Sequence, residues 1–114
     1  MKSTHPMHIE TIAVHAGIEE NEFGAVVPPI YQTSTFKFRD ADHGANLFSG
    51  KEDGYIYTRM RNPTVEAMEN SVAMLEGGYK ALGCGSGMAA VHTALAAMLS
   101  SGDHIICSES VYGA

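Results

Sequence analysis

The chain has 114 residues, a length that suits one domain around one hydrophobic core and excludes an ordinary two-domain enzyme. Hydrophobic residues make up 45% and charged residues 18%, with 12 glycines and no tryptophan, which fits a globular α/β protein and not a disordered or fibrous chain. Thirteen acidic residues against seven basic give a net charge of −6, and the scattered Lys and Arg form no stripe to neutralise the phosphates of a nucleic acid or an anionic membrane.

The N-terminal segment MKSTHPMHIE lacks the apolar core of a secretory signal, and its His5 and His8 have no third ligand nearby that would make a metal site. Residues 1 to 50 carry few helix signals. Pro28-Pro29 stops any helix, and Val26 to Phe38 is rich in β-branched and aromatic residues without clean alternation, so this region reads as an extended arm. A short helical turn is expected between Asp40 and Phe48, weakened by Gly44 and ended by Ser49-Gly50. Asn62-Pro63 then has the form of a helix start, with Asn as N-cap and Pro at the first helical position. Val65, Met68, Val72 and Leu75 follow at helical spacing, and Gly77-Gly78 supplies the stop.

Ala81 to Cys84 is short, apolar and bounded by glycines, as a buried strand would be. Gly85-Ser86-Gly87 turns into a second helical pattern, Met88, Val91, Leu95, Met98 and Leu99, which Ser101-Gly102 ends. The stretch from Met88 to Leu99 falls far short of the roughly 20 apolar residues that span a bilayer. His104 to Cys107 reads as a second buried strand. Strand, glycine turn, helix and strand predict a βαβ unit with parallel strands. Cys84 and Cys107 read as small buried hydrophobes at strand ends, and two such cysteines make no disulfide framework, so a reducing cytoplasm is the expected compartment. Two parallel strands leave sheet edges bare. A fragment of a larger α/β domain is therefore expected, with an arm over residues 1–50 and the beginning of the domain over 51–114.

The turn Cys84-Gly85-Ser86-Gly87-Met88 is expected to set small residues where a strand meets a helix N-terminus, so that unpaired N–H groups and the helix dipole converge on one spot suited to a phosphate. The same glycines would also serve a tight turn alone. Gly85-x-Gly87-x-x-Ala90, with Glu109 about 20 residues on, formally satisfies a dinucleotide fingerprint, although a long arm and a capped helix precede it. A P-loop is excluded because no Gly-Lys-Ser or Gly-Lys-Thr occurs. In Tyr55-Ile56-Tyr57-Thr58-Arg59-Met60-Arg61, a guanidinium and a phenol can reach one anion, or can pair with acids such as Glu52 and Asp53.

Tyr57-Thr58-Arg59, Asn62-Pro63-Thr64, Leu75-Glu76-Gly77-Gly78, Ser86-Gly87-Met88, Ser101-Gly102-Asp103 and Val111-Tyr112-Gly113 occur in this order and spacing. Together with Val14-His15-Ala16-Gly17 and the run from Val27 to Phe36, they resemble the N-terminal part of the Cys/Met-metabolism family of pyridoxal-phosphate (PLP) enzymes over essentially the whole chain. Gly44-Ala45 through Phe48, Gly50 and Gly54 are most similar to the methionine γ-lyase branch, with cystathionine γ-lyase, cystathionine γ-synthase and O-acetylhomoserine sulfhydrylase close.

The resemblance implies an arm that contacts the neighbouring subunit, followed by the start of the large domain of a fold-type I, aspartate aminotransferase-like transferase. It implies γ-elimination or γ-replacement on a sulfur amino acid, in a homo-oligomer, a tetramer when complete, whose active sites are shared between subunits. It further implies that Ser86, Gly87 and Met88 bind the cofactor phosphate, that Tyr57 and Arg59 reach the phosphate of the neighbouring subunit's cofactor, and that Tyr112 stacks on the pyridine ring and exchanges protons near the departing group. The lysines present, Lys2, Lys37, Lys51 and Lys80, do not occur in the Ser-x-Thr-Lys setting in which the family carries its cofactor. This chain alone is accordingly expected to be inactive. A dinucleotide-binding βαβ fragment and a non-catalytic α/β module are the alternatives.

Overall fold

The computed structural model describes residues 7–111. Among the described residues four helices follow in order: α1 (Ile9–His15), α2 (Ala41–Phe48), α3 (Pro63–Leu75) and α4 (Gly87–Met98). Contacts divide the chain into two units, Met1–Gly83 and Cys84–Ala114. In place of the single core expected from the length, the hydrophobic residues buried among the described residues are Leu47 and Ala73.

Within the first unit, local chemistry sets three helix starts or stops. The Asp40 carboxylate accepts from the His43 N–H at 2.7 Å and opens α2. Asn62 opens α3 in the same way by accepting from the Thr64 N–H at 2.9 Å, with Pro63 at the first helical position. The end of α3 closes in a Schellman motif: Gly77 takes φ +61°, its N–H donates to Met74 O and the Gly78 N–H donates to Ala73 O. Helix α2 runs a full two turns over the stretch expected to form a short helical turn. Gly44 lies so near the Phe38 ring that an added Cβ would come within 2.9 Å of it, so its small size serves packing.

Helix α1 lies inside the stretch expected to be an extended arm. It has no side-chain N-cap and buries no residue, so it carries little local signal. Its stability comes from docking on α3. The Ser71 hydroxyl lies 2.7 Å from Ala16 O, and Gly17, at φ +71°, sits against the carbonyl of Ala67. The remainder of the arm, residues 26–38, contains no helix and is held to residues 55–64 by an isolated antiparallel bridge, Thr35 to Tyr57. Phe36 N–H donates to Ile56 O at 3.1 Å and Thr58 N–H to Ser34 O at 2.9 Å. The Thr64 hydroxyl extends this seam by accepting from the Tyr31 N–H and donating to Pro29 O.

The two expected buried strands do not form. Residues 81–84 and 104–107 belong to no ladder, Cys84 and Cys107 are exposed, and Ile105 and Ile106 face solvent. Apolar content makes a segment suitable for a parallel sheet, but the strand exists only where neighbours take its N–H and C=O groups, and no such neighbour lies among the described residues. In the second unit, α4 stands apolar and uncovered, with Met88, Val91, Leu95 and Met98 all exposed. It ends before a turn in which the Ser100 N–H donates to Asp103, with Gly102 at φ +99°. Among the described residues no helix is long and apolar enough to cross a membrane.

Candidate functional site

Of the six residues expected to contact cofactor or substrate, Tyr57 and Arg59 lie at the Thr35–Tyr57 bridge and the turn after it, in the first unit, and Ser86 and Gly87 at the N-cap and first position of α4, in the second. The fifth, Met88, is in the first turn of α4 and is exposed; the sixth, Tyr112, lies outside the described residues.

In the first unit the turn is closed by Met60 and Arg61 N–H groups donating to Tyr57 O. The bridge to the arm fixes Tyr57, and Thr58 is tied through its hydroxyl to Thr33 O. Arg59 extends from this turn with its guanidinium 5.2 Å from the centre of the Tyr57 ring. It makes no ion pair with any carboxylate among the described residues, and it lines an open groove of about 910 Å³ with Tyr57, Gln32, Thr33, Asn62 and Thr64. A cation and a phenol with unspent donors at the wall of such a groove suit an anionic ligand.

Of the acids expected as partners for this stretch, Asp53 is taken by the stretch's own Arg61 and Glu52 by Arg39, and neither by Arg59. Glu52 pairs with Arg39 at 2.5 Å, and Asp53 pairs with Arg61. Arg61 also grips Glu66, in the first turn of α3, through two hydrogen bonds of 2.7 and 3.0 Å, and lies 5.3 Å from the Tyr55 ring centre. The Tyr55 hydroxyl donates at 2.8 Å to Glu66 Oε2, the oxygen that also takes the longer Arg61 bond. Burial, and next the hydrogen bond to Glu66, push the Tyr55 phenol up to about 12. Burial pushes the Glu66 carboxyl up, but the hydrogen bonds from Arg61 and Tyr55 together outweigh it and hold the group below its usual range. The Arg61 hydrogen bond lowers Asp53 as well. Sequence reasoning did not single out this cluster; the acid in the first turn of α3 and the alternation of residues 55, 57, 59 and 61 were its only traces.

In the second unit Ser86 is the N-cap of α4. Its hydroxyl oxygen accepts from the Ala89 N–H at 3.1 Å, and its carbonyl accepts from the Ala90 N–H. Gly87 and Met88, ahead of these, have no acceptor for their N–H groups among the described residues, and the Ser86 hydroxyl proton remains available. An added Cβ at Gly85 or Gly87 would meet nothing within 4 Å, so the backbone is open to close approach. Donors without partners, an open approach and the positive end of a helix dipole fit the phosphate of a cofactor such as PLP. The dinucleotide alternative finds no support, since no strand among the described residues precedes Gly85.

Comparison with known proteins agrees with this chemistry. Residues 10–114 match the profile of the Cys/Met metabolism PLP-dependent enzymes. An L-methionine gamma-lyase of Porphyromonas gingivalis is 48% identical over 103 residues, 90% of this chain and 26% of the relative. An O-acetyl-L-homoserine sulfhydrylase of Leptospira meyeri is 45% identical over 105 residues, covering 91% of this chain and 24% of the relative. A crystal structure assigned to an O-acetylhomoserine (thiol)-lyase of Campylobacter jejuni, holding a pyridoxyl-lysine phosphate, superposes with a TM-score of 0.81 at 36% identity, over 86% of this chain and 24% of that one. The chain thus spans about a quarter of the length of these relatives, and over that quarter it has the backbone of a fold-type I PLP enzyme. With the profile covering nearly the whole sequence, the chain belongs to the Cys/Met metabolism PLP-dependent enzyme family.

Proposed function

We propose that the full-length protein carrying this segment is a PLP-dependent enzyme of sulfur amino-acid metabolism, acting by γ-elimination or γ-replacement on methionine, cystathionine or an O-acylhomoserine, and most like methionine γ-lyase. The observation that carries this reading is the contrast between the two arginines of one turn: Arg61 is fully engaged by carboxylates, whereas Arg59 is stacked on Tyr57 at an open groove and pairs with no acid among the described residues. PLP, when bound, supplies an electron sink for bonds broken at the substrate's α and β carbons. The N–H groups of Gly87 and Met88 and the hydroxyl of Ser86 hold its phosphate at the start of α4. Tyr57 and Arg59 reach the phosphate of the neighbouring subunit's cofactor, so the working form is a homo-oligomer with shared sites. Tyr112 stacks on the cofactor ring and moves a proton near the departing γ-group.

Arg59→Ala in the full-length protein tests the phosphate role. Dialysis should strip cofactor from the variant faster than from the wild type, and equal retention would remove Arg59 from the phosphate site. Elimination and replacement separate by product: a thiol, a 2-oxo acid and ammonia from methionine in the first case, and, from an O-acylhomoserine and a sulfur nucleophile, a new thioether or thiol with release of the carboxylic acid in the second.

A further inference from the structure

Arg59 and Arg61 leave the same turn two residues apart and have opposite environments. Tyr57 and Arg59 make no side-chain hydrogen bond to the protein among the described residues beyond their stacking on one another, so their direction is set by the backbone that carries them. That backbone is held at one side by the Thr35–Tyr57 bridge. At the other side Arg61 ties together Asp53, at the foot of the loop, Glu66, on the first turn of α3, and the ring of Tyr55.

We propose that Arg61 is a positioning residue: by closing the loop 53–61 onto α3 through Asp53, Glu66 and Tyr55, it holds Tyr57 and Arg59 in the direction from which they meet a cofactor phosphate. The proposal rests on the phosphate role assigned above to Arg59. Three features favour it. The two arms of the rigid guanidinium fork divide between the acids, Nη2 donating to both oxygens of Glu66 and Nη1 to Asp53, so one planar group bridges two carboxylates. Tyr55 adds a second donor to Glu66 Oε2, so both carboxylate oxygens are held by hydrogen bonds. Both acids also pair with Arg61 and not with Arg59, which leaves the guanidinium of Arg59 without a carboxylate partner among the described residues.

The test is a set of dissociation constants for PLP and for pyridoxal, which lacks the phosphate, measured by equilibrium dialysis on the full-length protein. Partners that orient metal ligands contribute about 10- to 100-fold to affinity, and the same logic sets an expected loss of about tenfold in PLP affinity for Arg61→Ala. Pyridoxal affinity should stay within about twofold, because no phosphate is there to be met, and in an Arg59→Ala background the further loss should shrink to less than about threefold. Arg61→Lys should recover part of the loss. Equal losses for PLP and pyridoxal would reduce Arg61 to a general structural role and overturn the proposal, as would unchanged PLP affinity in a protein whose Arg59→Ala variant loses it. If Arg59→Ala itself leaves PLP affinity intact, the phosphate reading fails first, and the role of Arg61 with it. Should Arg61→Ala not fold, Glu66→Gln, which halves the charge pairing, gives the same comparison.

Discussion

Replacing Asn62 by alanine removes three hydrogen bonds from the one polar side chain that is buried among the described residues, at 4% exposure. Its oxygen caps α3 at Thr64 N–H, and its amide donates to Tyr31 O at 2.9 Å and to the Thr58 hydroxyl at 3.0 Å, so one side chain joins arm, turn and helix. Loss of the cap costs about 1 kcal/mol. The two amide bonds add about 1 kcal/mol each, since Tyr31 O is left without this donor in a half-buried seam. The sum, about 3 kcal/mol, corresponds to roughly a hundredfold fall in amide protection if opening is local. Hydrogen exchange on the full-length protein, resolved to peptides covering 29–35 and 56–66, should show that fall. Asn62→Asp keeps the capping oxygen and loses both donors, so it should lose about 2 kcal/mol. Protection unchanged in Asn62→Ala would refute the view that Asn62 holds the seam, and equal losses for both variants would refute the separate weight given to the cap.

Two further outcomes follow from geometry and charge. Gly17 and Gly50 both have positive φ, but an added Cβ at Gly17 would sit 2.0 Å from Ala67 O while at Gly50 it would meet nothing within 4 Å. Gly50→Ala should therefore cost about 1 kcal/mol of left-handed strain and Gly17→Ala clearly more, by thermal melting of the full-length protein; equal melting temperatures would contradict the docking of α1 on α3. The cluster around Arg61 should also have a pH window. Asp53 and Glu66 are held below their usual values of 3.8 and 4.5, so their contribution is present above that range and is lost as pH falls through the lowered values. Tyr55 is pushed up from 10 to about 12, so the contribution of its neutral phenol is present below pH 10 and is lost as pH rises towards 12. The melting-temperature advantage of wild type over Tyr55→Phe should shrink above pH 10, and an advantage that grows there would reverse the assigned sign.

What the sequence disclosed was mostly what short-range chemistry decides. Asn62-Pro63 and Gly77-Gly78 bound α3, and Ser86 opens α4, because caps act within a few residues; α4 stops at Met98, short of the expected Leu99 and of the Ser101-Gly102 turn. Helix α1 escaped notice because its supports, Ala67 and Ser71, lie some fifty residues away in the chain. The segments 81–84 and 104–107 had the composition of strands, but a ladder depends on neighbours that composition does not supply. The site divided in the same way. Ser86, Gly87 and Met88 were legible as a helix start with open N–H groups. Arg59 and Arg61, by contrast, look equivalent in sequence, and only their pairing in space tells the anion-facing arginine from the one bound to Asp53 and Glu66.

The central claim, that this segment belongs to a working PLP enzyme of sulfur amino acids, is tested most directly by the absorption of the full-length protein after incubation with PLP and dialysis. A retained band near the visible edge that shifts on adding methionine, cystathionine or an O-acylhomoserine is the predicted result. No retained band, with binding of a nicotinamide dinucleotide instead, would contradict it.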